Sequence, residues 1–228
     1  PSLVGSEMCI RDRHAGVGLA RKIGMDLALK RFLQLNKNGL IVGLDADTIV
    51  EENYLNSIYT HFKKHNNTAV SIHFEHPLSG GYAVDHYQLI CSYELHLRYY
   101  KNALSFVGFP FAFHTIGSAF ALTALAYARQ GGMNRRKAGE DFYFINKLIK
   151  GEDFGEINNT KVIPSSRISD RVPFGTGRAM LEAKNNKKDL SYTYSFNAFL
   201  ELKKWIDLIQ RNAVSYTHLT LPTNTVVF

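Results

Sequence analysis

The chain of 228 residues carries 27 Lys and Arg against 20 Asp and Glu, a formal net charge of +7, with 45% apolar and 21% charged residues. Those values are ordinary for a globular protein long enough to bury one sizeable α/β core. Two cysteines, Cys9 and Cys91, exclude a disulfide-built scaffold and point to a reducing compartment. The basic balance favours anionic partners without choosing among nucleotide diphosphates, lipid surfaces and nucleic acid.

Residues 1–13 (PSLVGSEMCIRDR) and 213–228 (AVSYTHLTLPTNTVVF) share neither the periodicity nor the style of the chain between them. Both resemble translated sequencing-adapter peptides, and they are set apart as non-native tails around one domain, 14–212. No secretory signal is read at the N-terminus, so a cytoplasmic protein is expected. The domain opens on a helix predicted over Ala15–Leu35, with Leu19, Ile23, Leu27 and Phe32 near one face and a Gly16-Val17-Gly18 start that permits close backbone approach to a ligand or to the sheet.

Lys37-Asn38-Gly39 turns into Leu40-Ile41-Val42-Gly43-Leu44, a run apolar on both faces that reads as a strand inside a parallel sheet. It ends on two acids, Asp45 and Asp47. Ligands of open α/β sheets bind beyond the carboxyl ends of strands, and paired hard oxygens there suit a divalent cation carrying phosphate. The plainer alternative is a turn with Asp47 as helix N-cap.

A helix follows over about Glu51–Lys64, with Tyr54, Leu55, Ile58 and Phe62 on its buried face. Thr68–Phe74 is the next strand. His73 and His76 fall on opposite faces of an extended segment, which argues against a zinc site. Val84–Lys101 is a helix rich in tyrosine and histidine, suited to packing or to an aromatic acceptor face. Residues 103–128 are the most apolar, but Pro110, His114 and Gly117-Ser118 interrupt them, so buried core is expected rather than a membrane span.

A strand is predicted within Phe113–Leu122, then a short helix over Thr123–Arg129 that stops at Gly131-Gly132. Glu140-Asp141 open a helix at Phe142–Lys150, where acids commonly cap or meet the dipole. The near-copy Gly151-Glu152-Asp153-Phe154 reads as a surface loop. Lys161–Pro164 is a short strand. Ser165–Arg178 is a basic loop whose Arg167, Arg171 and Arg178 have forks suited to phosphate oxygens. An amphipathic helix over Tyr192–Ile209 holds Trp205 beside Lys203 and Lys204, a pattern that packs on the domain and also permits docking on an anionic membrane face.

Three segments in this order resemble the family 2 glycosyltransferases of GT-A fold: Gly18-Leu19-Ala20-Arg21-Lys22-Ile23-Gly24, Leu44-Asp45-Ala46-Asp47, and Gly131-Gly132-Met133 through Glu140-Asp141-Phe142. The resemblance implies a Rossmann-like nucleotide-diphospho-sugar transferase fold, a mostly parallel sheet flanked by helices and lacking the family's first strand. It also implies inverting transfer of a sugar from a nucleotide-diphosphate donor to the hydroxyl of a glycan or lipid-linked acceptor, as in cell-surface polysaccharide synthesis. Nucleic acid is not expected as a partner. Attachment, if any, would be peripheral, at the inner face of the membrane.

By the same resemblance Asp47 would hold Mn²⁺ or Mg²⁺, and Asp45 would contact the ribose or that metal through water. Asp141 would be the general base with Glu140 supporting it, and Arg21 and Arg178 would meet the diphosphate. Lys22 stands where the family usually has asparagine. No histidine between Glu140 and the C-terminal tail can supply a third metal ligand, and the absence of Gln-x-x-Arg-Trp implies a non-processive enzyme. Two rivals differ in class. A haloacid-dehalogenase-like phosphatase would use Asp45 as nucleophile, but Ile49 stands where that family has Thr or Val. A non-catalytic nucleotide- or nucleic-acid-binding module would be expected to interleave basic and aromatic residues.

Overall fold

A computed structural model describes residues 16–136, 138–151, 153–170 and 175–217, with side chains to Arg211. The tail 1–13 and residues 218–228 lie outside these. In chain order the elements are α1 (Val17–Gln34), β1 (Leu40–Gly43), β2 (Ile49–Val50), α2 (Tyr54–Lys64), β3 (Ala69–Phe74), α3 (Val84–Phe106), β4 (Phe120–Thr123), α4 (Ala124–Arg129), α5 (Glu140–Ile149), β5 (Phe154–Ile163), α6 (Thr176–Lys184) and α7 (Phe196–Thr217). The backbone of α7 thus continues into the stretch set apart from residue 213.

The five described strands form one sheet in the order β1-β4-β3-β5-β2. β3 and β5 pair parallel, whereas β1 with β4, β3 with β4, and β2 with β5 pair antiparallel. The fold is therefore α/β with a mixed sheet, and the mostly parallel sheet expected from sequence is met only in the β3/β5 pair. β1 departs from its expected interior position, because it stands at one end of the described sheet and pairs only with β4. Its apolar residues on both faces report the layers above and below it. Ile41 belongs to a core with Met25 of α1, Tyr127 of α4 and Phe144, Ile145 and Leu148 of α5. Leu40 and Val42 pack on the opposite core, with Tyr54 and Ile58 of α2 against Val70, Ile72 and Phe74.

The face of α1 that is buried is not the leucine stripe. Leu27 is 61% exposed and Ile23 48%, while Gly18 and Met25 are buried and Ala28 and Phe32 pack on the first core. With Arg21 these residues follow the three- and four-residue spacing of one helix face. An arginine occupies the inward face because carboxylates meet it there. On α2, Tyr54 and Ile58 are buried as expected, but Leu55 is 71% exposed.

Residues expected as a long strand before Leu122 are mostly loop, and only Phe120–Thr123 enters the sheet. The interrupted apolar stretch 103–128 is thereby divided among α3, a loop, β4 and α4, and no helix among the described residues is long and apolar enough to cross a membrane. The aromatic face of α3 is used in packing, with Tyr99 and Tyr100 meeting the Phe199 ring of α7 at 5.8 and 6.1 Å. Phe199, Leu202 and Ile206 form the inward side of α7, which leaves Trp205 63% exposed rather than packed.

Candidate active site

Arg21 is the meeting point of the two acidic motifs. It lies in the second turn of α1, where its guanidinium makes ion pairs with Asp45, just past β1, and with Glu140, the first residue of α5. Asp141 Oδ2 lies 3.9 Å from the same Nη1. One cation thus faces three carboxylates on two segments that the chain separates by almost a hundred residues.

Local structure explains how each group arrives. The Thr48 amide donates to the Asp45 carbonyl at 3.1 Å, which closes a turn that carries Asp45 off the strand end. Gly139 caps α5 with φ 67°, a left-handed conformation that glycine adopts without the Cβ penalty. The Asn134 side-chain amide donates to the Glu140 carbonyl at 3.0 Å, and the Phe142 amide donates to Asp141 Oδ1 at 2.8 Å. Gly18 permits α1 to approach this segment, since a Cβ there would lie 2.2 Å from the Arg136 carbonyl oxygen and 3.0 Å from Glu140 Cβ. The close approach of the Gly-Val-Gly start is therefore to the α5 motif, not to the sheet.

Burial sets the electrostatics. Glu140 is only 2% exposed, and this desolvation, with the neighbouring Asp141 charge, raises its pKa against the opposing pull of Arg21. Arg21 is raised as well: burial disfavours its charge, but Asp45, Glu140 and Asp141 together outweigh that penalty. Carboxylates outnumber cations here, so the cluster favours a further positive charge.

The remaining site residues are distributed differently. Asp47 Oδ2 pairs with Arg167 Nε at 3.0 Å, both side chains being well exposed. Arg178 does not join the cluster, because it is spent on Glu182 one turn further along α6 at 2.8 Å. Arg171 lies outside the described residues. Arg167 still borders the start of α6, where a Cβ on Gly177 would meet the Arg167 carbonyl oxygen at 3.2 Å. His73 and His76 stay apart, on Glu75 and Glu94 respectively.

No family model, characterised protein or solved structure matches the chain.

Two contributors were not singled out from sequence. Gly117 lies against the cluster so closely that a Cβ would sit 2.5 Å from both Arg21 Nη1 and Asp141 Oδ2. Its only sequence signal is a Gly-Ser pair just before β4. Tyr93 of α3 hydrogen-bonds the Thr176 side chain, and its phenol is raised chiefly by burial, with the charge of Asp141 adding to it. It was read only as part of an aromatic helix face.

Whether this site fits a metal is decided by its donors. Among the described residues no group of three His, Cys, Asp or Glu side chains is placed to hold an ion by itself. Asp47 and Asp45 offer hard oxygens two residues apart at an accessible turn. Asp45 is paired with Arg21 and Asp47 with Arg167, so an ion at this turn would have to displace arginine and would take most of its ligands from substrate phosphates and water, the usual arrangement for phosphate-bound Mg²⁺.

Proposed function

We propose that the chain is a glycosyltransferase domain of the GT-A type, which transfers a sugar with inversion from a nucleotide-diphosphate donor to an acceptor hydroxyl. The observation that carries this reading is the Arg21 bridge. It brings Asp45, just past β1, together with Glu140 and Asp141 at the start of α5, so groups for a donor and for its acceptor would stand side by side.

In this reading Asp141 is the general base. As the acceptor oxygen forms its bond to the sugar carbon, its proton passes to the Asp141 carboxylate, and the sugar–phosphate bond breaks with its electron pair leaving on the nucleotide diphosphate. Glu140 is a positioning residue, because it is buried and held by Arg21. Arg21 orders the two motifs, its own charge being taken up by the three carboxylates around it. Arg167, beside Asp47, is better placed than Arg178 to meet phosphate oxygens. Asp47, with Asp45 beside it, would hold Mn²⁺ or Mg²⁺, and a bound ion would offset charge developing on the leaving diphosphate.

The phosphatase alternative needs Asp45 as an unencumbered nucleophile, and the Arg21 ion pair disfavours that. The test is calorimetric binding of a nucleoside diphosphate with and without Mn²⁺. Binding that requires both Mn²⁺ and Asp47, and is lost in Asp47→Ala, is expected. Metal-independent binding unchanged in that variant would remove the assignment.

A further inference from the structure

A second group of charged side chains lies where α3 crosses β3 and β5, and it contains none of the residues of the Arg21 cluster. The sheet is irregular there. Between Ile72 and His73 the partner on β5 jumps from Ile157 to Lys161, so residues 158–160 bulge out of register and Asn158 is released from ladder pairing. Beside the bulge opens a cavity of 350 Å³, to which α3 contributes Arg98, Lys101 and Asn102, β5 Glu156 and Asn158, and the preceding loop of β4 His114.

These groups keep hydrogen-bonding capacity in hand. Arg98 commits Nε and Nη2 to Glu94 and the Phe74 carbonyl, and Nη1 has no partner among the described residues. Lys101 meets only Glu156 among the described residues, at 3.1 Å. The Asn102 and Asn158 side chains make no hydrogen bond among the described residues. The His114 ring meets the edge of Phe74 at 5.1 Å. It is pushed down to about 4 by burial and then by the charges of Lys101, Arg98 and His73, with Glu94 alone opposing them.

We propose that this cavity binds a monosaccharide phosphate, with the phosphate against Lys101 and the free edge of Arg98 and the sugar hydroxyls against Glu156, Asn102 and Asn158. A guanidinium edge and a lysine together suit phosphate oxygens. A carboxylate and two amides, which accept as well as donate, suit hydroxyls, and inorganic phosphate alone would leave them unused. The volume lies at the small end of ligand pockets, typically about 300–1,000 Å³, where a single sugar fits. This site does not depend on the transferase reading.

The test follows the His114 ring by NMR while a hexose phosphate, inorganic phosphate or the unphosphorylated hexose is added, with His114→Gln used for assignment. The hexose phosphate should shift the His114 signals and move its titration upward, because the ligand's negative charge favours the imidazolium. Inorganic phosphate should bind more weakly and the neutral hexose not at all. Lys101→Met should weaken binding about tenfold or more, the usual cost of one charge-assisted hydrogen bond. That variant also strands Glu156, so Asn102→Asp, at an exposed helix position, provides a second: circular dichroism should show it folded, and its added negative charge should give a similar loss. Lys63→Met, on α2, should bind as the native chain does. No shift of His114 with any ligand would overturn the proposal. So would native affinity in both pocket variants, or equal affinity for the hexose phosphate and either simpler ligand.

Discussion

Arg21 of α1 and Glu140 of α5, 119 residues apart in sequence, form an ion pair whose carboxylate is almost wholly withdrawn from water. The pair is both a structural clasp and the centre of the candidate site. Breaking it by removing one partner should be costly, since the other charge is left buried. Arg21→Met is expected to lose about 3–5 kcal/mol in urea unfolding. Arg21→Met with Glu140→Gln should recover part of that loss, whereas an equal loss in both would show that the carboxylate charge is not the cause.

Gly117→Ala separates stability from function. The added Cβ meets the ends of the Arg21 and Asp141 side chains at 2.5 Å, and side-chain ends can move aside more cheaply than backbone. The melting temperature should fall less than in Arg21→Met, because the ion pair is displaced rather than removed, while turnover with nucleotide-sugar donor and acceptor should fall at least tenfold as the two groups are displaced. Unchanged turnover would show that their placement is not used.

Gly43→Ala should do the reverse. A Cβ there would lie 2.2 Å from the ring of the fully buried Phe120, which is locked in the first core. Overpacking of this kind costs about 1–3 kcal/mol. Pairing it with Phe120→Leu should return part of the stability by making room, and calorimetry of the two variants reads the difference.

Acid should destabilise the chain in two steps. His114, ordinarily near 6.5, is held down to about 4 chiefly by burial. The unfolded chain therefore takes up this proton first, and stability is lost as the pH falls from 6.5 towards 4. Glu94, ordinarily near 4.5, is held down to about 2: burial opposes this, but hydrogen bonds from His76 and Arg98 outweigh it. Its contribution is present above 4.5 and lost as the pH falls towards 2. Shifts of this size are worth about 3 kcal/mol each. Glu140 works the other way: its raised pKa favours the folded chain at low pH and costs stability as pH rises through its titration. Urea unfolding across pH 7.5 to 3 should show the first loss disappear in His114→Gln and the second shrink in Glu94→Gln.

Arg21, Asp45, Glu140 and Asp141 all stand in segments that the sequence singles out, Asp45 as the acid ending an apolar run and Arg21 only through the family resemblance, and the fold brings the four side chains together. Their mutual contact was not legible, because it depends on how α1 approaches α5 across the first core. The α1 face shows why. Counting apolar residues selects Leu19, Ile23, Leu27 and Phe32, of which Phe32 does pack on the first core, but the inward side is decided by a glycine that lets the backbone close in and by an arginine whose cost of burial three carboxylates offset. Strand direction was hidden for a related reason. A strand apolar on both faces reports layers above and below, and says nothing about whether its neighbour runs with it or against it. Arg178 was selected for its residue type, and an intrahelical partner one turn away claims it.

We propose that the site around Arg21 performs sugar transfer with Asp141 as base. It is tested most directly by measuring, in Asp141→Asn, both transfer from a nucleotide-diphosphate sugar and Mn²⁺-dependent binding of the nucleotide. Binding should stay near the native value while transfer falls by a factor of about 10² or more, the usual contribution of a general base. Transfer at the native rate in that variant would contradict it.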